Sequence, residues 1–298
     1  MRILMSGGSG LIGSAVGSRL EADGHTVVRL VRRPPKAGEL TWDPVAGTLD
    51  PAAFDGCDAV INLSGANIGD KRWTDQYKAE LVSSRLLATE LLANTMADLD
   101  HKPEVFLSGS AVGWYGDRGD ERLDELSAPR DDFLSDLCQQ WEAATAVAEK
   151  VCIRTVHLRT GIVLSAKGGA LKKQLPLFKL GLGGRFGNGH QWQSWISIDD
   201  EVAAIVHLLT SEICGAVNLT APNPVTNIEF TATLAKVLHR PAVLPVPTFG
   251  PKLLFGREMV DSLLLGGQRV LPTVLQRSGY EFQHATLDAA LRDVLHRA

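Results

Sequence analysis

The chain opens Met1-Arg-Ile-Leu-Met-Ser-Gly7-Gly-Ser-Gly10-Leu-Ile-Gly13, and no other stretch limits the fold so tightly. Ile3 to Met5 is a short apolar run. Leu11, Ile12, Ala15, Val16 and Leu20 then recur at helical spacing. The order is strand, tight turn, helix, with Gly7, Gly10 and Gly13 spaced G-x-x-G-x-x-G. Each glycine has its own reason. Gly7 lets the chain turn sharply out of the strand. Gly10 lacks a Cβ, so a pyrophosphate can approach the backbone. Gly13 lets the helix lie close to the strand. The helix N-terminus adds unpaired N–H groups and the positive end of its dipole. A preceding strand and a following helix are the context in which this spacing signals dinucleotide binding rather than a plain turn. Gly7, Ser9, Gly10, Leu11, Ile12 and Gly13 are therefore the expected phosphate loop.

Composition narrows the rest. Among 298 residues, Lys+Arg 30 against Asp+Glu 34 leaves a net charge of −4, and no basic excess points to nucleic acid or to a membrane surface. Cys57, Cys138, Cys152 and Cys214 lack C-x-x-C spacing, which argues against a metal site and a disulfide framework. The glycine turn interrupts the apolar run after Met5, so no signal peptide is read there. No apolar stretch approaches the ~20 residues that span a bilayer. A cytoplasmic protein with a small-molecule substrate is expected. The sequence leaves its oligomeric state open.

Along the chain, Thr26 to Val31 predicts the second strand. NAD sites place an acid about twenty residues past the glycines, to hold the ribose 2′-hydroxyl. Here the strand ends Val31-Arg32-Arg33. Guanidinium groups suit a 2′-phosphate instead, so NADP (NADPH) is the expected cofactor. Cys57 to Leu63 predicts a strand whose carboxyl end, Leu63, Ser64 and Gly65, faces the ligand crevice. Thr74 to Met96 predicts one long helix bearing Glu80 and Arg85. Glu104 to Leu107 predicts a strand running into a Gly-rich loop, Ser108 to Asp117. Residues 118–131 read as loop, and Asp132 to Lys150 as one helix. Ile153 to Leu158 predicts another strand. Asp199 is the expected N-cap of a helix over Asp200 to Leu209. Further on come a strand at Ala216 to Leu219, a helix at Asn227 to Leu238, and an amphipathic helix at Leu287 to Leu295. The pattern predicts an α/β fold, a Rossmann-type doubly wound parallel sheet with a smaller C-terminal substrate-side region. Residues 1–160, with returning segments near 190–220, form the expected dinucleotide-binding domain. Residues 161–298 form the substrate side, with a small unit at about 245–298.

The glycine motif, Asp58 to Gly65, the Ser108–Asp117 loop, Leu158-Arg159-Thr160-Gly161 and Gly189 to Asp200 together resemble an extended short-chain dehydrogenase/reductase. Leu137-Cys138-Gln-Gln-Trp141-Glu142, Leu180-Gly181-Leu-Gly-Gly184 and Leu265 to Pro272 are similar to motifs of its sugar-nucleotide epimerase-like branch, which carries an extra small C-terminal domain. The resemblance implies that Ser110 is the serine that hydrogen-bonds the reacting oxygen, and that Glu80 and Arg85 press on the cofactor. It implies NADP-dependent redox or epimerase chemistry on a small polar or nucleotide-sugar-like substrate.

One departure weighs against that chemistry. Active members carry Tyr-x-x-x-Lys on the helix after the serine loop, where lysine lowers the tyrosine pKa. Registered on Glu142, those positions hold Leu134 and Cys138. Tyr115, in the serine loop, is the substitute acid that the sequence offers, beside its blander role as a pocket-wall aromatic. The family's asparagine three residues after Arg159 is Ile162 here, which weakens the case for a nucleotide sugar. Two classes stay open: an NADP-dependent enzyme, or a non-catalytic NADP-binding sensor or docking protein.

Overall fold

The computed structural model describes Met1–His296. Strands β1 (Arg2–Ser6), β2 (Thr26–Val31), β3 (Glu39–Thr41), β4 (Ala59–Asn62), β5 (Val105–Ala111), β7 (Arg154–Thr160) and β11 (Gly215–Leu219) form one sheet. Its order is β11-β7-β5-β4-β1-β2-β3, and every pairing is parallel. The connection from β1 goes one way and that from β4 the other, so the chain has a switch point where ligands bind in such sheets.

Both faces are covered, which is why the central strands read as unbroken apolar runs. Ile3, Met5, Ile61, Leu107 and Leu158 face α1 (Leu11–Ala22) and α6 (Ile198–Thr210), packing against Val16, Leu20, Ile205 and Leu208. Leu4, Val60 and Phe106 face the other way, onto Ala88, Leu92 and Met96 of α2 (Asp75–Asp98). The side chains of one strand thus alternate between two cores.

Four local readings change. β5 runs to Ala111 rather than stopping at Leu107, because β7 pairs with it as far as Ala111↔Thr160. The expected single helix over 132–150 is two: α3 (Phe133–Ala143), capped by Asp132, and α4 (Ala146–Lys150). At the break the Thr145 hydroxyl lies 2.8 Å from the Glu142 carbonyl and 2.8 Å from Glu149 Oε1. The cap of α6 is Ser197, not Asp199; Asp200 N donates to Ser197 Oγ at 3.1 Å, which starts the helix two residues earlier. The loop over 118–131 contains β6 (Arg122–Leu123), which pairs in parallel with β13 (Arg269–Val270).

The second half supplies short pieces around the strand ends. They include β8 (Ile162–Leu164), α5 (Gly169–Lys179), β9 (Trp192–Gln193) and β10 (Trp195–Ser197). After β12 (Val225–Thr226) and α7 (Asn227–Leu238) comes a helical segment: α8 (Phe249–Phe255), α9 (Arg257–Val260), α10 (Thr273–Arg277) and α11 (Leu287–His296). It joins several cores rather than one. Leu275 enters the main cluster, Met259 packs with Trp73, Tyr77, Leu81 and Leu134, and Leu287 and Leu291 pack with Phe230 and Leu234. His284 pins the seam. Its Nδ1 lies 3.0 Å from Ser197 Oγ and its Nε2 3.4 Å from Asp293.

Candidate dinucleotide and substrate crevice

At the carboxyl edge of β1 the loop closes with Gly10 N donating to Gly7 O at 3.0 Å. Gly7 has φ +71°, and a side chain there would meet the Leu63 carbonyl at 2.4 Å. A side chain at Gly13 would meet the Gly7 carbonyl at 2.3 Å. Gly10 differs: its Cβ would touch only Gly7 O, at 3.3 Å. Two glycines serve close packing and the third leaves the surface open. Gly10 is the N-cap of α1 and no side chain caps that helix, so its first N–H groups point outward. Leu11 and Ile12 are half-buried behind the loop, and Ser9 is exposed on it.

The three arginines near the end of β2 are not equivalent. Arg29 pairs with Glu21 at 2.7 Å. Arg33 forks onto Glu39 at 2.7 and 2.6 Å, and that bond holds the Glu39 carboxyl well below the usual carboxylate range. Arg32 is exposed and has no hydrogen-bond or ion-pair partner among the described residues. Beside half-buried Val31, it is the one of the three not already neutralised.

Across the crevice, Leu63, Ser64 and Gly65 follow β4. Asn62 beneath them accepts from Ser6 Oγ at 2.6 Å and donates to Thr89 at 2.9 Å. Arg85 reaches from α2 under Gly65, donates to the carbonyls of Leu81 (2.9 Å) and Ala66 (3.1 Å), and lies over Trp141. Burial lowers its pKa. Glu80, by contrast, is exposed and pairs loosely with Lys71 at 3.3 Å.

On the α3 side, the sheet face that is apolar mid-strand turns polar at the strand ends. Ser110, Arg159 and Asn218 lie in register on β5, β7 and β11. Ser110 Oγ donates to Glu142 Oε1 at 2.6 Å, and Arg159 forks onto Glu142 at 2.8 and 2.9 Å. Arg159 also donates to the Tyr115 hydroxyl at 3.0 Å, which itself donates to Asn218 Oδ1 at 2.7 Å. Tyr115 is 0 % exposed, and burial pushes its hydroxyl up to about 12. The expectation that it serves as an acid meets that geometry: the hydroxyl faces Asn218 rather than the crevice, and its one proton is committed. The family's tyrosine and lysine positions are equally closed. Leu134 is buried in the cluster with Met259 and Trp73. Cys138 points at the Ala111 carbonyl, and burial pushes its thiol up to about 12.

The sequence reading named Glu142 and Arg159 only within motifs, and missed Asn218 and Glu125. Glu125 Oε1 accepts from the backbone N–H of Asn218 and of Val274 at 3.2 and 3.1 Å. Only the fold joins those four positions; the polar alternation of β7 was the available signal.

Two straps bridge the crevice. A side chain at Gly168 would meet Leu11 at 3.1 Å, while Lys173 on α5 donates to Gly69 O at 2.9 Å. Lys78 pairs with Glu258 of α9 at 2.7 Å.

A Rossmann-like sheet, an open glycine turn at its switch point and a serine on β5, one strand beyond β4, define a dinucleotide-dependent α/β protein of the epimerase type. The chain belongs to the NAD dependent epimerase/dehydratase family, whose model matches residues 3–219; a domain of unknown function, DUF1731, matches residues 246–294. It is 44 % identical over 291 residues to an epimerase family protein of Mycobacterium bovis, covering 97 % of this chain and 96 % of that one. It is similar to the crystal structure of human epimerase family protein SDR39U1 with NADPH, at TM-score 0.92 and 36 % identity over 100 % of both chains. The UDP-glucose 4-epimerase of Thermotoga maritima with UDP-glucose shares the fold, at TM-score 0.78 and 16 % identity, covering 100 % of this chain and 99 % of that one. Among the described residues, no helix is long and apolar enough to cross a membrane.

Proposed function

We propose that the chain is an NADP(H)-dependent oxidoreductase or epimerase-like enzyme acting on a small polar substrate. The observation that carries this reading is the open face of Gly10 at an uncapped helix, set on the same crevice as the uncommitted Arg32. The human relative crystallised with NADPH supports the same cofactor. In this reading Arg32 holds the 2′-phosphate, the N–H groups of α1 hold the pyrophosphate, and Leu63 to Gly65 with Arg85 form the opposite wall. Glu80 contributes only from the rim. When the cofactor is bound, a hydride passes from a carbinol carbon to NADP+, or from NADPH back to the carbonyl carbon. The substrate hydroxyl proton passes to Ser110 as Ser110 hands its own to Glu142, and the same relay runs in reverse for reduction.

Ser110 is the residue assigned to the reacting oxygen. Its proton is given to Glu142, so its free lone pairs accept from a substrate hydroxyl. Glu142 is the base behind it, held in place by Arg159. Tyr115 is then an anchor that fixes Arg159, not the acid.

A specific observation favours a second reading, that of a non-catalytic NADP-loaded sensor. Leu134, Cys138 and Tyr115 are all buried, so the usual dyad has no replacement of the same kind. One experiment separates the two. Wild type, Arg32→Ala and Ser110→Ala are assayed for NADPH oxidation against a broad carbonyl panel, with NADPH and NADH affinities measured by calorimetry. The enzyme reading expects turnover in wild type and a kcat loss of roughly 10²–10⁴ in Ser110→Ala with cofactor affinity unchanged. Arg32→Ala should erase the preference for NADPH. Equal affinity for both dinucleotides in wild type overturns the cofactor choice, and a panel that consumes no NADPH favours the sensor.

A further inference from the structure

The two-stranded ribbon of β6 and β13 places Arg122 directly beside Arg269 in parallel register. Their neighbours Leu123 and Val270 are fully buried against Tyr115, so the two arginines share the opposite, outer face of the ribbon. The Arg269 guanidinium lies over the Trp192 ring, with Cζ 4.2 Å from the centroid. Its Nε is buried and has no hydrogen-bond partner. Neither arginine makes an ion pair or side-chain hydrogen bond among the described residues. Like charges at directly paired strand positions repel, and an anion bound from outside would relieve that repulsion.

None of the acids nearby is paired with either arginine among the described residues. Asp120 accepts from the Trp192 indole at 2.7 Å, and Glu121 pairs with Arg118 at 3.3 Å. Asp124 is taken by the backbone N–H of Leu126 and the Ser127 hydroxyl, both at 3.1 Å. The platform is also rigid. Ser194 Oγ donates to Gln268 O at 2.6 Å and accepts from Val270 N at 2.9 Å. A side chain at Gly267 would meet the Trp192 carbonyl at 2.1 Å, so the two backbones lie in direct contact. Trp192 and Arg269 are therefore held together by main chain as well as by stacking.

We propose that Arg122, Arg269 and Trp192 form an anion site for a phosphoryl group of a small molecule, outside the dinucleotide loop. Two arginines at directly paired positions on one face can together meet a dianion, and an arginine held over an aromatic ring presents its N–H fork at little entropic cost. Trp192 belongs to β9, just before β10, and Arg269 to the matched C-terminal segment, so the site joins the two parts of the chain. That it anchors the substrate rests on the enzyme reading above; that it binds phosphoryl anions does not.

The test is calorimetric titration of inorganic phosphate and pyrophosphate at low ionic strength into protein saturated with NADPH, which keeps the glycine loop filled. Acetate serves as the monoanionic control. Wild type should bind pyrophosphate and phosphate in preference to acetate. Arg269→Met and Arg122→Met should each weaken that binding by about tenfold or more, as loss of a charge-assisted fork requires. Arg269→Lys should fall between, and NADPH affinity should stay at the wild-type value throughout. Arg122 is exposed, so its variant folds even if Arg269→Met does not. Absence of phosphate binding in wild type, or equal binding in Arg122→Met, overturns the site while leaving the NADPH result intact. If NADPH itself fails to bind, the dinucleotide reading falls, and the wild-type and Arg122→Met titrations without it still decide the anion site.

Discussion

Glu201 sits in the first turn of α6, fully buried against the carboxyl end of β7. Thr160 Oγ1 donates to its Oε1 at 2.9 Å, and its Oε2 has no partner. Burial pushes its carboxyl up to about 8, so the folded protein holds this proton near neutrality. In the unfolded chain a glutamate loses its proton near the usual value of about 4.3. Between those two pH values the folded state carries a proton that the unfolded state has released, and rising pH favours unfolding. The stability tied to that proton is whole at acid pH and is lost as pH climbs through about 8. The urea midpoint of wild type should therefore fall from about pH 5 to about pH 8 by more than that of Glu201→Gln, which is neutral and nearly isosteric. Parallel pH profiles for the two proteins would show that Glu201 ionises normally. A glutamate in an apolar helical stripe gave the sequence reading no sign of this, because only the fold puts α6 over Thr160.

Single turns and helices were more legible than their partners. The spacing of Gly7 and Gly13 carried the turn itself, since Gly13 packs on the Gly7 carbonyl within the motif, although the Leu63 carbonyl that also confines Gly7 comes from a distant strand end. The bounds of β2 and α7 likewise follow from local pattern. Local pattern failed where a distant element decided the outcome: β5 extends because β7 pairs with it, and β6 exists because β13 arrives from the far end of the chain. Of the candidate site, the glycine turn was legible as a turn, whereas Ser110, read as a loop residue, lies in β5, and the Glu142–Arg159–Tyr115–Asn218 chain required the sheet register. The three glycines yield an element-level prediction. Gly10→Val should fold, because its Cβ would crowd only the Gly7 carbonyl, at 3.3 Å, which a shift of a few tenths of an ångström relieves, yet lose NADPH affinity. Gly13→Val should not fold, because its Cβ would press on the Gly7 carbonyl at 2.3 Å. Circular dichroism with calorimetry checks both, and NADPH binding retained in Gly10→Val would make the loop purely structural.

Across the molecule, the C-terminal segment completes cores that the sheet domain begins. Met259, Val270 and Leu275 each enter a different cluster. Removing residues 246–298 should uncover Trp73, Tyr77, Leu134 and Tyr115 together, leaving a chain that aggregates and lacks near-UV circular dichroism. A monodisperse truncated protein with a native near-UV spectrum would show that the two parts fold independently. The pairing of β6 with β13 also bears on birth order at the ribosome. Arg122 and Leu123 emerge early and wait, one edge bare, until Arg269 and Val270 are made. A message cut short anywhere before that point yields a polypeptide whose Tyr115 loop has no outer wall, so completeness of translation is written into whether this parallel pair of distant strands can close.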